Sequence, residues 1–108
     1  MKRYAVEWAV LARDDLGQII SYIAEDSAIN ALKVAERIER VAQSLVTFPA
    51  RGRVLPELRE QGVTRYLELI VKPWRLVYRI EGAKVYVVSV LDGRRDLEAL
   101  LFHRFADL

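Results

Sequence analysis

Trp74-Arg75-Leu76-Val77-Tyr78-Arg79-Ile80, then Glu81-Gly82-Ala83, then Lys84-Val85-Tyr86-Val87-Val88-Ser89-Val90-Leu91, is the stretch on which the fold turns. Both runs are rich in β-branched and aromatic residues, and Gly82 supplies the tight turn between them. Within the first run Trp74, Leu76, Tyr78 and Ile80 alternate with Arg75, Val77 and Arg79. Alternation with period two gives one apolar face and one mixed face. The hairpin is closed by Asp92-Gly93 and followed by Arg94-Arg95. A hydrophobic sheet ending in an arginine pair is built to meet something acidic.

Working outward, residues 64–71 read as a third strand before the hairpin, and residues 3–8 as a short first strand with Tyr4, Val6 and Trp8. Between them the period changes. Over residues 10–25, Ala12, Leu16, Ile19, Ile20 and Ile23 recur at helical spacing, with Arg13, Asp14, Asp15 and Gln18 expected opposite. Asp14 and Asp15 near the helix start complement its dipole, which is a simpler use than a paired-carboxylate site. Residues 28–47 repeat the theme, with Ala31, Ala35, Ile38, Ala42 and Leu45 on one stripe and Ser27 or Asn30 as cap. The connection is short, so the two helices are expected as antiparallel neighbours. Phe48-Pro49 ends the second helix, residues 49–63 read as a loop, and residues 94–106 read as a last helix.

The expected fold is therefore α+β. An N-terminal strand and an antiparallel helical hairpin precede a three-stranded antiparallel meander and a C-terminal helix, all in one domain spanning residues 1–108. The helical pair must cover one sheet face, since neither apolar surface is stable in water. The other face is expected to stay partly free, with the last helix covering some of it.

Composition narrows the chemistry. The chain has no cysteine, which excludes disulfides, a thiol nucleophile and a thiolate zinc site, and fits a reducing cytoplasm. No run approaches the ~20 apolar residues of a membrane helix. The opening Met1-Lys2-Arg3 is followed by an apolar run that Glu7, Arg13, Asp14 and Asp15 interrupt, so no secretory leader is expected. Ser21, Ser27, Ser44 and Ser89 lack a histidine partner, because the one histidine is His103, which fits a packing or surface role better than a general base. No metal-ligand spacing and no Gly-rich phosphate loop occurs, and no cofactor is expected.

The charge is unevenly placed. Residues 1–50 hold six basic and seven acidic side chains, while residues 51–108 hold eleven and eight. Arg51, Arg53, Arg59, Arg65, Arg75, Arg94 and Arg95 fall on a loop, a strand and a strand end, interleaved with Tyr66, Trp74 and Tyr86. Arginine suits bidentate contact with carboxylate or phosphate, and interleaved aromatics occur where bases stack. The plainer alternative is core aromatics and solvated arginines.

Several segments together resemble the ParE/RelE superfamily of bacterial toxins from type II toxin–antitoxin systems. They are Asp15-Leu16 with Ile19 and Tyr22-Ile23, the loop from Pro49 to Leu58, the strand from Trp74 to Ile80, and Asp92-Gly93-Arg94-Arg95-Asp96-Leu97. The resemblance implies a small toxin that inhibits growth, functions in plasmid stabilization and is neutralised by a cognate antitoxin in a hetero-oligomer. RelE-like relatives are similar to ribosome-dependent mRNA endonucleases, and ParE-like relatives resemble inhibitors of DNA gyrase. RelE-like enzymes carry two lysines one residue apart in the strand before the YRLVY-type strand. The matching positions here are Tyr66 and Glu68, neither of which stabilises a phosphorane-like transition state as a cation does. The late tyrosine of those enzymes has no counterpart, because Ala99-Leu100-Leu101-Phe102 stands there, and Asp92 replaces a histidine found in many relatives.

The resemblance thus leans to the ParE-like branch: a gyrase inhibitor that works by binding, with no confident catalytic residue. Arg53, Arg75, Arg94 and Arg95, with Trp74, are the expected target contacts. The alternative is a RelE-like nuclease acting on mRNA at the ribosome, with Arg75 and Arg94 or Arg95 holding the phosphate. A second alternative is a binding module without toxicity.

Overall fold

A computed structural model of the chain describes residues 2–94 and Arg104. The first strand, β1 (Ala5–Trp8), leads through Ala9 into α1 (Val10–Ala24). Three residues beyond, Ser27 caps α2 (Ala28–Gln43), accepting a hydrogen bond from the Asn30 amide at 3.1 Å. Then come β2 (Arg53–Val54), a one-turn α3 (Pro56–Arg59), β3 (Tyr66–Val71), β4 (Trp74–Glu81) and β5 (Lys84–Asp92). The expected helix over 94–106 lies outside the described residues, apart from Arg94 and Arg104.

The five strands form one sheet in the order β1-β5-β4-β3-β2. β3, β4 and β5 make the expected antiparallel meander, with Leu69 opposite Leu76 and Leu76 opposite Val90. β1 joins the other side of β5 in parallel, Val6 opposite Val85. That direction follows from the helical hairpin, which returns the chain to the far edge of the sheet before β2 begins. A bulge opposite Val77 and Tyr78 leaves Val88 with no β4 partner, since Val77 faces Ser89 and Tyr78 faces Val87.

Both faces of β4 are buried. On one face Ala12 and Leu16 of α1 and Ile38, Ala42 and Leu45 of α2 pack on Leu76, Tyr78, Val85 and Val87. Each fully buried Leu, Ile or Val of this set is worth about 2 kcal/mol. Surface ion pairs such as Arg79–Glu81 and Lys84–Glu7 are worth about 1 kcal/mol or less, so burial decides the fold. On the other face Leu55 and Leu58 close over Tyr66, Val77, Val88 and Leu91.

The segment expected as an open loop is thus a lid on the second face. Its leading end, residues 49–52, is anchored from the helix-side face by Tyr78, whose hydroxyl donates to the Pro49 carbonyl at 2.6 Å and accepts from the Gly52 amide at 3.0 Å. Burial pushes the Tyr78 hydroxyl above its ordinary pKa. At Gly52 any Cβ would fall 2.7 Å from the Glu68 carbonyl oxygen and into the Tyr78 hydroxyl. Gly52→Ala is expected to cost about 1–3 kcal/mol in chemical unfolding. A Gly17→Ala control has open space at its Cβ and should cost nothing by packing.

One sequence expectation needs correction. Asp15 does not face water to meet the helix dipole; it shares the inner side of α1 with Ala12 and Leu16 and is buried. Its Oδ2 accepts from Ser89 Oγ at 2.8 Å, from the Val90 amide at 2.9 Å and from Arg104 Nη1 at 2.8 Å, while Oδ1 accepts from Arg104 Nη2 at 3.0 Å. The carboxylate ties α1 to β5, 75 positions away in the chain. A buried charge is tolerable only with this many donors. Removing one partner of such a pair strands the rest, so Asp15→Ala should lower unfolding free energy by about 3 kcal/mol. Asp14→Ala, at an exposed position, should stay within about 0.5 kcal/mol of the parent.

Candidate binding surface

The basic residues singled out in the sequence divide sharply in the structure. Arg53, Arg75 and Arg94 line one shallow pocket of about 420 Å³ at the end of the sheet, with Ile70, Lys72, Pro73, Trp74 and Gly93. Arg51, Arg59 and Arg65 are not among its lining residues. Arg51 reaches the Ser44 hydroxyl, and Arg65 lies over the Tyr66 ring at 5.4 Å. Arg95 lies outside the described residues.

The three cations that converge are not equivalent. Arg75 is buried, on the face of β4 opposite the helices. Its Nε donates to Glu68 Oε1, and its Nη1 and Nη2 donate to the two oxygens of Glu57 at 2.7 and 2.8 Å. Glu68 is 1% exposed and accepts on its other oxygen from Arg53 Nε at 2.6 Å. Its carboxylate thus has a cation on each oxygen, which is the condition for burying a charge at this cost. Hydrogen bonds from Arg75 hold the Glu57 carboxyl below its ordinary value, against an opposing push from burial. The same contacts, with Glu57 first, push the Arg75 guanidinium upward.

This quartet is electrically neutral and mechanical. It fastens α3 and the chain around it to β3 and β4. Arg75 therefore acts from beneath the surface, positioning what lies above. The outer guanidinium nitrogens of Arg53 have no partner among the described residues, and 64% of its side chain is exposed. Arg94 is 71% exposed and is aimed by Asp92, which accepts from its Nε at 3.0 Å and its Nη2 at 2.9 Å. Trp74 is largely buried and forms the pocket wall, and Tyr66 belongs to the second core.

Two further cations stand here that sequence reasoning passed over. Lys72 lines the pocket from the β3–β4 turn, and its ammonium has no acidic partner among the described residues. Arg37 of α2 donates to the Lys72 carbonyl at 2.8 Å and lies over the Trp74 ring at 5.8 Å. A cation in a turn between two strands was the available signal for Lys72. Nothing in the helical pattern marks Arg37 from its charged neighbours.

A second concavity of about 660 Å³ runs along α1 on the helix side of the same sheet end. Ile19, Ile23 and Trp74 supply apolar lining, Tyr22 stands exposed at its rim, and Asp15 and Arg104 lie within it. Among the described residues no cluster of His, Asp and Glu has the arrangement for a metal. None of the helices is long and apolar enough to cross a membrane.

A helical hairpin on a small mixed sheet with a basic sheet end is an arrangement shared with small toxins of type II toxin–antitoxin systems, and comparison with known proteins shows the class. Residues 6–97 match the family described as the ParE toxin of type II toxin-antitoxin system, parDE. Toxin ParE3 of Caulobacter vibrioides is 37% identical over 91 residues, 81% of this chain and 84% of that protein. Toxin RelE2 of the same organism is 31% identical over 90 residues, 83% of this chain and 96% of that one. Among solved structures, a chain of the chromosomal ParDE TA system from P. aeruginosa superposes with a TM-score of 0.68. It covers 83% of this chain and 96% of its own at 19% identity, so it speaks for the fold alone. The chain belongs to the ParE toxin family, and its partner context is that of a toxin with a cognate antitoxin.

The Glu57 tie has a pH signature. Its folded-state pKa is depressed from the ordinary 4.5, so the tie contributes fully above that value and is lost as pH falls through the folded value. Between pH 6 and pH 2 the parent should therefore lose more unfolding free energy than Glu57→Gln, measured by urea titration at each pH. Equal acid slopes would show that Glu57 carries none of the linkage.

Proposed function

We propose that this toxin inhibits DNA gyrase by binding, without cleaving RNA, and that it does so in the cytoplasm as one domain until its antitoxin covers it. One observation carries the reading. At the positions where RelE-like enzymes present two lysines stand Tyr66, packed in the second core, and Glu68, a buried carboxylate. Glu68 neutralises Arg75, the strand arginine that a nuclease of that type would turn on the scissile phosphate. Cleavage of that kind needs a proton acceptor, a proton donor and a free cation at the developing charge. Among the described residues of the pocket, cations are present and proton carriers of suitable pKa are not.

Arg53, Arg94 and Arg95 are the residues assigned to target contact, with Trp74 as wall and Arg75 as the group that positions Arg53 through Glu68. For the antitoxin we assign the groove along α1, where Ile19, Ile23 and exposed Tyr22 fit an amphipathic segment and Arg94 fits an acidic one.

Purified toxin in excess over gyrase is expected to suppress supercoiling and to accumulate cleaved DNA. Arg53→Ala with Arg94→Ala should weaken inhibition roughly tenfold or more, about 1.4 kcal/mol per decade, and equimolar antitoxin should restore supercoiling. Unchanged supercoiling, together with ribosome-dependent mRNA breaks that vanish in Arg75→Ala, would replace this reading with the nuclease one.

A further inference from the structure

We propose that the sheet end formed by Arg37, Lys72, Arg53 and Arg94 is a binding site for the phosphodiester backbone of duplex DNA. The inference rests on the gyrase reading in one respect: DNA is what gyrase holds, so the toxin would touch that DNA as well as the enzyme.

Four observations carry it. The first is charge. Of the described residues lining the pocket, Arg53, Lys72, Arg75 and Arg94 are cationic and none is acidic. The second is availability. Arg75 is consumed by Glu57 and Glu68, and Arg94 spends its Nε and Nη2 on Asp92, but Lys72 has no acidic partner among the described residues. Among the described residues Arg37 spends one nitrogen on a carbonyl, and Arg53 spends its Nε on Glu68. These groups offer unspent N–H donors to an anion. The third is spread. The cations come from α2, the β3–β4 turn, β2 and the end of β5, so they form a band across the sheet end rather than a cup for a single carboxylate. A chain of regularly spaced anions suits a band.

The fourth observation selects the form of nucleic acid. Proteins that hold single strands stack bases on exposed aromatic faces. Here Trp74 and Tyr66 are buried in the wall and the second core, so among the described residues no base platform faces the pocket. What remains is backbone contact, which orients a protein on a duplex without reading its sequence. The exposed Ile70 and the Pro73 beside it provide apolar surface between the cations, which suits the sugar edge of the backbone.

The test contains no gyrase, so its failure and the failure of the gyrase reading are separable. Full-length toxin is titrated into a fluorescent 24-base-pair duplex of arbitrary sequence, and anisotropy is read across a salt series. Saturable binding is expected, with log K falling against log salt at a slope of about −3, since each neutralised phosphate contributes about −0.9. Lys72→Ala and Arg37→Ala should each weaken binding several-fold and flatten the slope by about one, with unfolding midpoints unchanged. Arg13→Ala removes the same charge from exposed α1 and should change neither. Three results would overturn the proposal: no binding at 50 mM salt, equal weakening by Arg13→Ala, or tighter binding of a single-stranded RNA or a polyglutamate peptide than of the duplex. The last would assign the band to RNA or to an acidic protein segment.

Discussion

The buried carboxylate of Glu68 is the constraint from which the second face of the sheet follows. A lone carboxylate at that depth would cost several kcal/mol, and the chain answers with Arg75 on one oxygen and Arg53 on the other. Arg75 then has two nitrogens left, and both are taken by Glu57 of α3. Satisfying one buried charge thus draws in a strand, a second strand and a helical turn. With α3 held there, Leu55 and Leu58 close over Val77 and Tyr66, and Gly52 is pressed against the Tyr78 hydroxyl. The apolar contacts supply most of the free energy, and the ionic quartet sets which surface they bury.

That arrangement also decides what the surface offers. Arg53 and Arg75 are balanced by Glu57 and Glu68, and Arg94 by Asp92, so among the described residues the uncompensated positive charge at the sheet end comes from Lys72 and Arg37. Arg75 would be the natural cation for catalysis, yet it is the most thoroughly occupied of them. The described surface therefore presents its cations for contact while its strand arginine is held in ion pairs.

Much of this architecture was legible in the residues. The β4–β5 hairpin announced itself because alternating apolar side chains admit one local solution, and β4 runs over Trp74–Glu81 as read. The two helices followed from the spacing of Leu16, Ile38 and Ala42. The errors share a cause. Asp15 was assigned to solvent because an acidic residue beside Asp14 looks outward, yet it faces β5; the fit depends on Ser89 and Val90, which no local pattern connects to it. Residues 49–63 looked like a loop because their punctuation is loop-like, and only Tyr78 and Arg75 turn them into a covering layer. Pairing of buried polar groups is a property of the assembled molecule, and periodicity is blind to it.

The two concavities meet at the same wall. Pro73, Trp74 and Arg94 line both the groove along α1 and the basic pocket on the opposite side. Asp15 braces this end from the helix side through Ser89 and Arg104, and Glu68 braces it from the other side through Arg75. A wall braced from both sides transmits occupancy poorly by bending, since packed interiors resist deformation. Exclusion is the simpler route between the sites. Under the proposed reading, an antitoxin segment seated along α1 that pairs with Arg94 would remove that cation from the proposed band, and neutralisation would require competition for one shared guanidinium rather than a conformational change.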